Sequence, residues 1–187
     1  VMSLKTRFGN LGNILDFDNL TEENIYVLDS PILTNSQFKK FKKFFSKKVK
    51  IIDCTFDIEG SLKERIESIR EEAETAVREG STCLVLSDKN ISNQKASIPS
   101  ILTVGATHSH LVKHGLRGYC SLNVECSDAM DTHSFAILIG VGATTVNPYL
   151  AIDSIYQRFE KKLFGKSDFQ ACVSKFKKSI DAGLLKI

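Results

Sequence analysis

The chain has 187 residues, of which 42% are hydrophobic, and a formal net charge of +3 at pH 7. This composition is typical of a single globular domain with a sizeable core, here residues 1–187, and it excludes a disordered chain. The small net charge gives no reason to expect nucleic acid as a partner, and no apolar run is long enough to span a membrane.

The first 50 residues are predicted to be an irregular segment with one short helix. Residues 7–13 are rich in Gly and Asn, which favour turns. Pro31 holds the residue before it in an extended conformation. Thr34 or Asn35 then begins the short helix, since both residue types cap helix N-termini.

The stretch Phe38–Lys50 is predicted to be an amphipathic helix with a lysine-rich outer face. Its aromatic residues recur at spacings of three and four and therefore share one side, namely Phe38, Phe41 and Phe45. We interpret the lysines as a solvated face. The alternative is a basic module that binds an anionic polymer or membrane surface.

Residues 51–163 alternate predicted strands and helices. The predicted strands are Ile51–Phe56, Thr82–Leu86, Tyr119–Val124 and Ala143–Val146. The predicted helices are Ser61–Glu79, the segment from Pro99 to Gly115, Asp131–Ile139 and Leu150–Leu163, and residues 166–187 add a C-terminal helix. Strand starts recur every roughly 24 to 37 residues, which is the spacing of βα units around a parallel sheet. We predict an α/β fold that is half of a (β/α)8 barrel or a degenerate one; a small open doubly wound sheet is the alternative.

The segment 140–151 contains closely spaced glycines that look like a phosphate-binding loop. Gly140 and Gly142 end one helix and precede a strand, whereas a dinucleotide loop follows a strand and opens a helix. The sequence therefore predicts no dinucleotide site here. Asn147 and Pro148 are predicted to open the next helix, as N-cap and first helical residue.

Polar residues follow each predicted strand, where parallel α/β folds build their sites. We expect all of them on one rim of the domain: Asp57, Glu59, Ser87, Asp88, Lys89, Glu125, Asn147 and Tyr149. One hypothesis is a substrate-binding or acid–base cluster. The favoured interpretation is an interface with neighbouring domains, because no catalytic triad can be read from the spacing.

The histidines give no strong metal signal. His110 and His114 share a helix face, but Leu111 stands where a His-Glu-x-x-His motif has its glutamate. We therefore predict no metal site. His133 lies near a helix N-terminus, and we assign it a surface or interdomain role.

The cysteines are five in number and widely spaced, without a Cys-x-x-Cys pair. This pattern argues against zinc and iron–sulfur binding. Cys54, Cys83 and Cys120 lie in apolar runs, so we predict buried, reduced thiols. A reducing compartment follows, and we expect the chain to be cytoplasmic.

The order of motifs resembles the central domain of the large (alpha) chain of glutamate synthase. The likeness covers nearly the whole chain. It rests on Val1-Met2-Ser3-Leu4, Gly9, Asn13-Ile14-Leu15, Ser30-Pro31-Ile32-Leu33, Leu84-Val85-Leu86-Ser87-Asp88, Ile98-Pro99-Ser100-Ile101-Leu102, Val104-Gly105-Ala106, His108, His110, Gly115-Leu116-Arg117, His133, Phe135-Ala136 and the segment 140–151.

The resemblance implies a role within a large enzyme that makes two glutamates from glutamine and 2-oxoglutarate. In that family an amidotransferase domain releases ammonia, which passes through a tunnel to an FMN-bearing domain. Electrons arrive through an iron–sulfur cluster from an electron-donating subunit or ferredoxin. The central domain joins the two catalytic domains and helps to wall the tunnel.

The chain departs from the family's catalytic patterns. The family's nucleophilic cysteine is the first residue of its mature amidotransferase domain, whereas the first residue here is Val1, and no segment resembles the cluster's cysteine motif or the FMN-binding regions. We therefore expect no cofactor in this chain, no catalytic residue, and no activity for the chain alone. The alternative is a free-standing half-barrel enzyme that binds a small anionic substrate at the strand-end rim.

Overall fold

Strands and helices alternate along most of the structure, a computed structural model that describes residues 3–8 and 26–187. The strands are β1 (Thr6–Phe8), β2 (Tyr26–Leu28), β3 (Val49–Asp53), β4 (Thr55–Asp57), β5 (Cys83–Ser87), β6 (Lys95–Ser97), β7 (Ser121–Glu125) and β8 (Thr145–Asn147). The helices are α1 (Asn35–Phe45), α2 (Leu62–Arg78), α3 (Ser100–Lys113), α4 (Thr132–Gly140), α5 (Tyr149–Glu160) and α6 (Phe169–Leu184). Within these ranges, no helix is both long and apolar enough to cross a membrane. The predicted turns at 9–13 lie outside the described residues.

A four-stranded parallel sheet in the order β3-β5-β7-β8 is the centre of the fold. Each of these four strands lies beside the one that follows it in the order β3, β5, β7, β8, and at least one helix connects each pair. The α/β prediction is therefore confirmed. This sequential order is that of half a (β/α)8 barrel, whereas a doubly wound sheet reverses its order. Beyond β8, Ile32 forms a parallel bridge with Val146, and the Leu33 N–H donates to the Val146 carbonyl at 2.9 Å.

Helices α2, α3 and α4 cover one face of this sheet, and α6 packs beside α4 and α5. One register row on the covered face consists of Ile52, Leu86, Val124 and Val146, all of them buried. The helices add their apolar stripes to the same cluster, including Ile69, Ala73, Val104, Leu111, Phe135 and Leu138. This layer is the main hydrophobic core.

Helix α1 covers the opposite face. Its residues Phe38, Phe41 and Phe45 form a second buried cluster with Leu33, Cys83 and Val85. The Phe41 ring lies 5.5 Å from the Phe38 ring and 5.3 Å from the Phe45 ring, between centroids. Thr34 begins the helix with both bonds of a capping box: its side chain accepts from the Gln37 N–H, and the Gln37 side chain accepts from the Thr34 N–H. Helix α1 therefore covers this face over β5, whereas Ile51 of β3 on the same face is 51% exposed.

Half-buried Arg117 connects α3 to the edge of the sheet where the strands begin. Its guanidinium donates to the carbonyl oxygens of Cys120 at 2.6 Å and Gly142 at 2.9 Å, and to His108 Nδ1 at 3.1 Å. Gly142 has a φ of +117°, and a Cβ there would lie 2.3 Å from His108 Nδ1. Gly142 thus serves a close helix–loop contact, and both Gly140 and Gly142 precede strand β8.

The predicted helix Phe38–Lys50 is too long. Helix α1 ends at Phe45, Ser46 has a positive φ of 45°, and the chain then enters β3 at Val49. Residues from Val49 onward form a strand instead of continuing the helix, because Val49 pairs with Cys83 in the parallel sheet. Tertiary pairing of this kind outweighs local helix propensity.

The predicted strand Ile51–Phe56 is two strands, because β3 ends at Asp53. The Cys54 N–H donates to the Ser87 carbonyl at 2.7 Å, and β4 then pairs antiparallel with β6 above the sheet edge. The predicted N-cap role of Asn147 is also wrong. Asn147 is the last residue of β8, and Pro148 occupies the N-cap of α5.

All five cysteines are buried free thiols, as predicted for three of them. Burial raises the pKa of the Cys83 and Cys120 thiols to about 11. These thiols therefore stay protonated at neutral pH and behave as small hydrophobic side chains.

Phe41→Ala is expected to lower the free energy of unfolding by about 3–5 kcal/mol, because it empties the centre of the cluster between α1 and the sheet. Urea denaturation measures the change. Lys40→Ala, on the exposed side of the same helix, is the matched control and should stay within about 0.5 kcal/mol of the parent. Equal effects of the two substitutions would contradict the docking of α1.

Candidate functional site

One register row places four polar side chains together at the carboxyl ends of the parallel strands. Asp53 pairs with Ser87, Ser87 with Glu125, and Glu125 with Asn147. Residues in one row share a face of the sheet, and this one is the face that α1 covers. We call these four residues the strand-end row.

Glu125 is the buried acid at the middle of the row, with a side chain only 4% exposed. Ser87 Oγ donates to its Oε2 at 2.8 Å, and Lys89 Nζ lies 2.8 Å from its Oε1. Lys42 reaches over from α1, 3.9 Å from the same oxygen. The carboxylate is thus balanced by two ammonium groups from different elements.

Asp88 lies next to the row and is also buried. Its Oδ2 accepts hydrogen bonds from the Ser127 N–H at 3.0 Å, the Ser127 hydroxyl at 2.5 Å and the Ser97 hydroxyl at 3.1 Å. Burial, together with the Asp88 charge, raises the pKa of Tyr149 above its ordinary value, so the phenol stays protonated. Lys89 Nζ lies 4.9 Å from the centroid of the Tyr149 ring, a cation–π distance.

The two ends of the row are tied to neighbouring elements. Asn147 Nδ2 donates to the Leu33 carbonyl and to Asn35 Oδ1, both at 2.9 Å, which joins β8 to the start of α1. At the other end, burial opposes ionisation of Asp53, but hydrogen bonds from Asn90 and Thr55 outweigh it. The pKa of Asp53 is therefore lower than usual.

The structure brings together six of the eight predicted rim residues: Ser87, Asp88, Lys89, Glu125, Asn147 and Tyr149. His133 lies apart, exposed in the first turn of α4. Asp57 and Glu59 are not in the row, because β3 ends at Asp53, three residues before the predicted strand end at Phe56. Asp53 takes that position instead.

Sequence reasoning missed Lys42 and Ser127. Lys42 was interpreted as part of a solvated lysine face, and only the docking of α1 against the sheet brings it to Glu125. Ser127 has a weak signal in the sequence, since it lies two residues after the end of β7, whereas Asp88 directly follows β5. Its role as donor to Asp88 depends on a pairing between two separate loops.

The strand-end row is a polar seam, by which we mean a line of polar side chains whose carboxylates are balanced by groups of the same domain. The row contains no histidine, so no general base stands between a hydroxyl and a carboxylate as in a catalytic triad. Its acids are occupied by serine hydroxyls, an asparagine amide and lysines from the same domain. This pairing argues against the free-standing enzyme considered above.

Apolar side chains surround the seam at the same edge of the sheet. They lie in the loops after the strands or in the first turns of the helices, and they are more than two-fifths exposed: Ile58, Ile91, Ile101, Leu102, Met130 and Leu150. Other exposed hydrophobic residues are distributed over the opposite edge, strand β3 and the terminal regions. A polar seam ringed by exposed apolar residues is typical of a surface that contacts other protein.

The family described as glutamate synthase central domain matches residues 1–187 of this chain. The chain belongs to this family. It is similar to the large chain of the NADPH glutamate synthase of Azospirillum brasilense, with 46% identity over 190 residues that cover 100% of the chain and 12% of that protein.

Other glutamate synthases match over the whole chain as well. The ferredoxin-dependent glutamate synthase of Pyropia yezoensis is 36% identical over 203 residues, which are 13% of its length. The NADH glutamate synthase of Schizosaccharomyces pombe is 35% identical over 196 residues, which are 9% of its length. This central domain therefore spans only about an eighth of the relatives it matches, or less.

Lys89→Met is expected to lower the unfolding free energy of this glutamate synthase central domain by about 1 kcal/mol, since it removes the nearest counter-charge of a buried carboxylate and leaves Ser87 and Lys42 as partners. Urea denaturation measures this change in unfolding free energy. Lys113→Met removes an exposed lysine and should change stability by less than about 0.5 kcal/mol. A Lys89 variant as stable as the Lys113 variant would refute the energetic role of the pair.

Proposed function

We propose that this chain is the central, non-catalytic domain within a glutamate synthase polypeptide and that its strand-end edge docks against the neighbouring domains. The observation that carries the proposal is the neutralised row with exposed apolar side chains around it. The relatives contain roughly seven-eighths or more of their length outside the matching region, so further protein is available to cover this edge.

The parent enzyme, in this proposal, converts glutamine and 2-oxoglutarate into two glutamates. Its amidotransferase and FMN domains lie elsewhere in the same polypeptide, and its iron–sulfur cluster receives electrons from a partner subunit or ferredoxin. The central domain holds the catalytic domains at a fixed distance and helps to wall the path of ammonia. Buried, protonated thiols support a reducing cytoplasmic setting.

The residues at the glycine segment do not fit an FMN phosphate. Gly140 and Gly142 precede β8, whereas a phosphate cradle needs the loop after a strand and the N-terminus of the next helix. Gly142 instead faces His108. We therefore derive no catalytic step from this chain.

The isolated 187-residue chain is expected to bind no stoichiometric FMN and to show no glutaminase turnover. Fluorescence titration with FMN and an ammonia-release assay with glutamine measure both properties. A yellow complex of one flavin per chain, or steady turnover by the pure chain, would overturn the non-catalytic assignment.

In the full-length enzyme, Ile101→Asp is expected to raise the ammonia that escapes into solution relative to the glutamate formed. The reason is that an aspartate placed on the docking edge separates the domains that confine ammonia. Parallel assays of free ammonia and glutamate in one reaction give the ratio. Circular dichroism of the isolated variant chain confirms that the exposed substitution leaves the fold intact.

Val112→Asp is the matched control, since Val112 is also exposed and lies at the other end of the same helix α3. Its ratio of ammonia to glutamate should equal that of the parent enzyme. Leakage with Val112→Asp but not with Ile101→Asp would place the docking surface on the opposite edge and refute the proposal.

A further inference from the structure

Two helices bring three metal-ligating side chains together on the outside of the domain. His110 and His114 lie one turn apart at the end of α3, and Glu74 faces them from α2. His110 Nε2 lies 2.7 Å from Glu74 Oε2, and His114 Nδ1 lies 3.8 Å from the same oxygen. One ligand atom from each residue lies within 4.8 Å of the other two. Sequence spacing supplied only the histidine pair, because Glu74 is 36 residues from His110 in the chain.

We propose that Glu74, His110 and His114 form a binding site for a divalent transition-metal ion, with Zn²⁺ as the best match. Two imidazoles and one carboxylate are the protein ligands of open zinc sites, where water completes the tetrahedron. Nitrogen ligands disfavour Mg²⁺ and Ca²⁺, which take oxygen. All three side chains are about a fifth to a third exposed, so an ion can enter and water can occupy the fourth position.

The three side chains lie close together before an ion arrives, and the two imidazole rings are 4.2 Å apart between centroids. His114 Nδ1 donates to the His110 carbonyl at 2.8 Å, so an ion that binds through this nitrogen must displace its proton. This contact holds the His114 ring beside its neighbour. Ligands whose orientation is fixed in advance lose less conformational entropy when they bind.

Arg78 competes with the ion for Glu74. Its Nε donates to Glu74 Oε1 at 2.9 Å, which leaves Oε2 on the side of the histidines. The guanidinium therefore orients the ligand but also repels a cation, and its removal should tighten metal binding.

An ion at this position would join α2 to α3 on the outer layer of the domain. Both helices pack on the sheet through their opposite faces, so the ion would act as a cross-link and leave the core unchanged. Because only the folded chain holds the three ligands together, the ion should also stabilise the domain. This inference is independent of the proposed docking edge.

Isothermal titration of the full 187-residue chain with ZnCl₂ tests the site. We expect one ion per chain and a midpoint of thermal unfolding that rises with zinc concentration. His114→Ala and Glu74→Gln should each weaken binding by about tenfold or more, since even loss of an outer-shell partner has an effect of that size. Arg78→Gln should bind zinc more tightly than the parent.

His133→Ala is the control, because His133 is an exposed histidine on another helix, and its zinc affinity should match that of the parent. Co²⁺ in place of Zn²⁺ reports the ligand type by its absorption spectrum. Absence of saturable binding, equal losses in His133→Ala and His114→Ala, or a thiolate-to-cobalt charge-transfer band would each overturn the proposal. An Arg78→Gln chain that binds no tighter than the parent would overturn it as well.

Discussion

The packing of α1 onto the open face of the four-stranded sheet is the constraint on which the rest of this structure depends. A parallel sheet needs cover on both faces, and four βα units provide it on only one. Phe38, Phe41 and Phe45 supply the second layer from a segment that precedes the repeats. The four-stranded sheet is therefore covered on this face by a helix that comes before the βα repeats in the chain.

The same docking explains the charge balance at the strand ends. Because α1 lies across the sheet face, Lys42 reaches Glu125, and Asn147 bonds to the backbone and side chain at the start of α1. In the strand-end row, which often supplies catalytic groups in α/β enzymes, both acids are here paired within the domain. The exposed apolar residues around this edge suit the contact with other protein that we propose.

Sequence patterns predicted the parts of the structure that depend on local rules. The repeated strands, the helix stops at Gly80 and Gly115, and the rim positions of Glu125 and Asn147 follow from periodicity and from the geometry of parallel sheets. The predicted C-terminal end of the first helix was wrong, because pairing of β3 with a strand over thirty residues away outweighs local helix propensity. The contacts of Lys42 and Glu74 could not be predicted from the sequence for a similar reason, since each contact joins elements that are distant in the chain.

The central claim is that the strand-end edge is the interface with neighbouring domains, and amide hydrogen exchange tests it most directly. Exchange would be compared between the isolated chain and the full-length polypeptide, over the loops after β3, β5, β7 and β8 and over the opposite edge. The account predicts slower exchange in the full-length protein for the strand-end loops, while the opposite edge changes little. Strand-end loops that exchange equally fast in both proteins, with protection gained at the opposite edge, would contradict it.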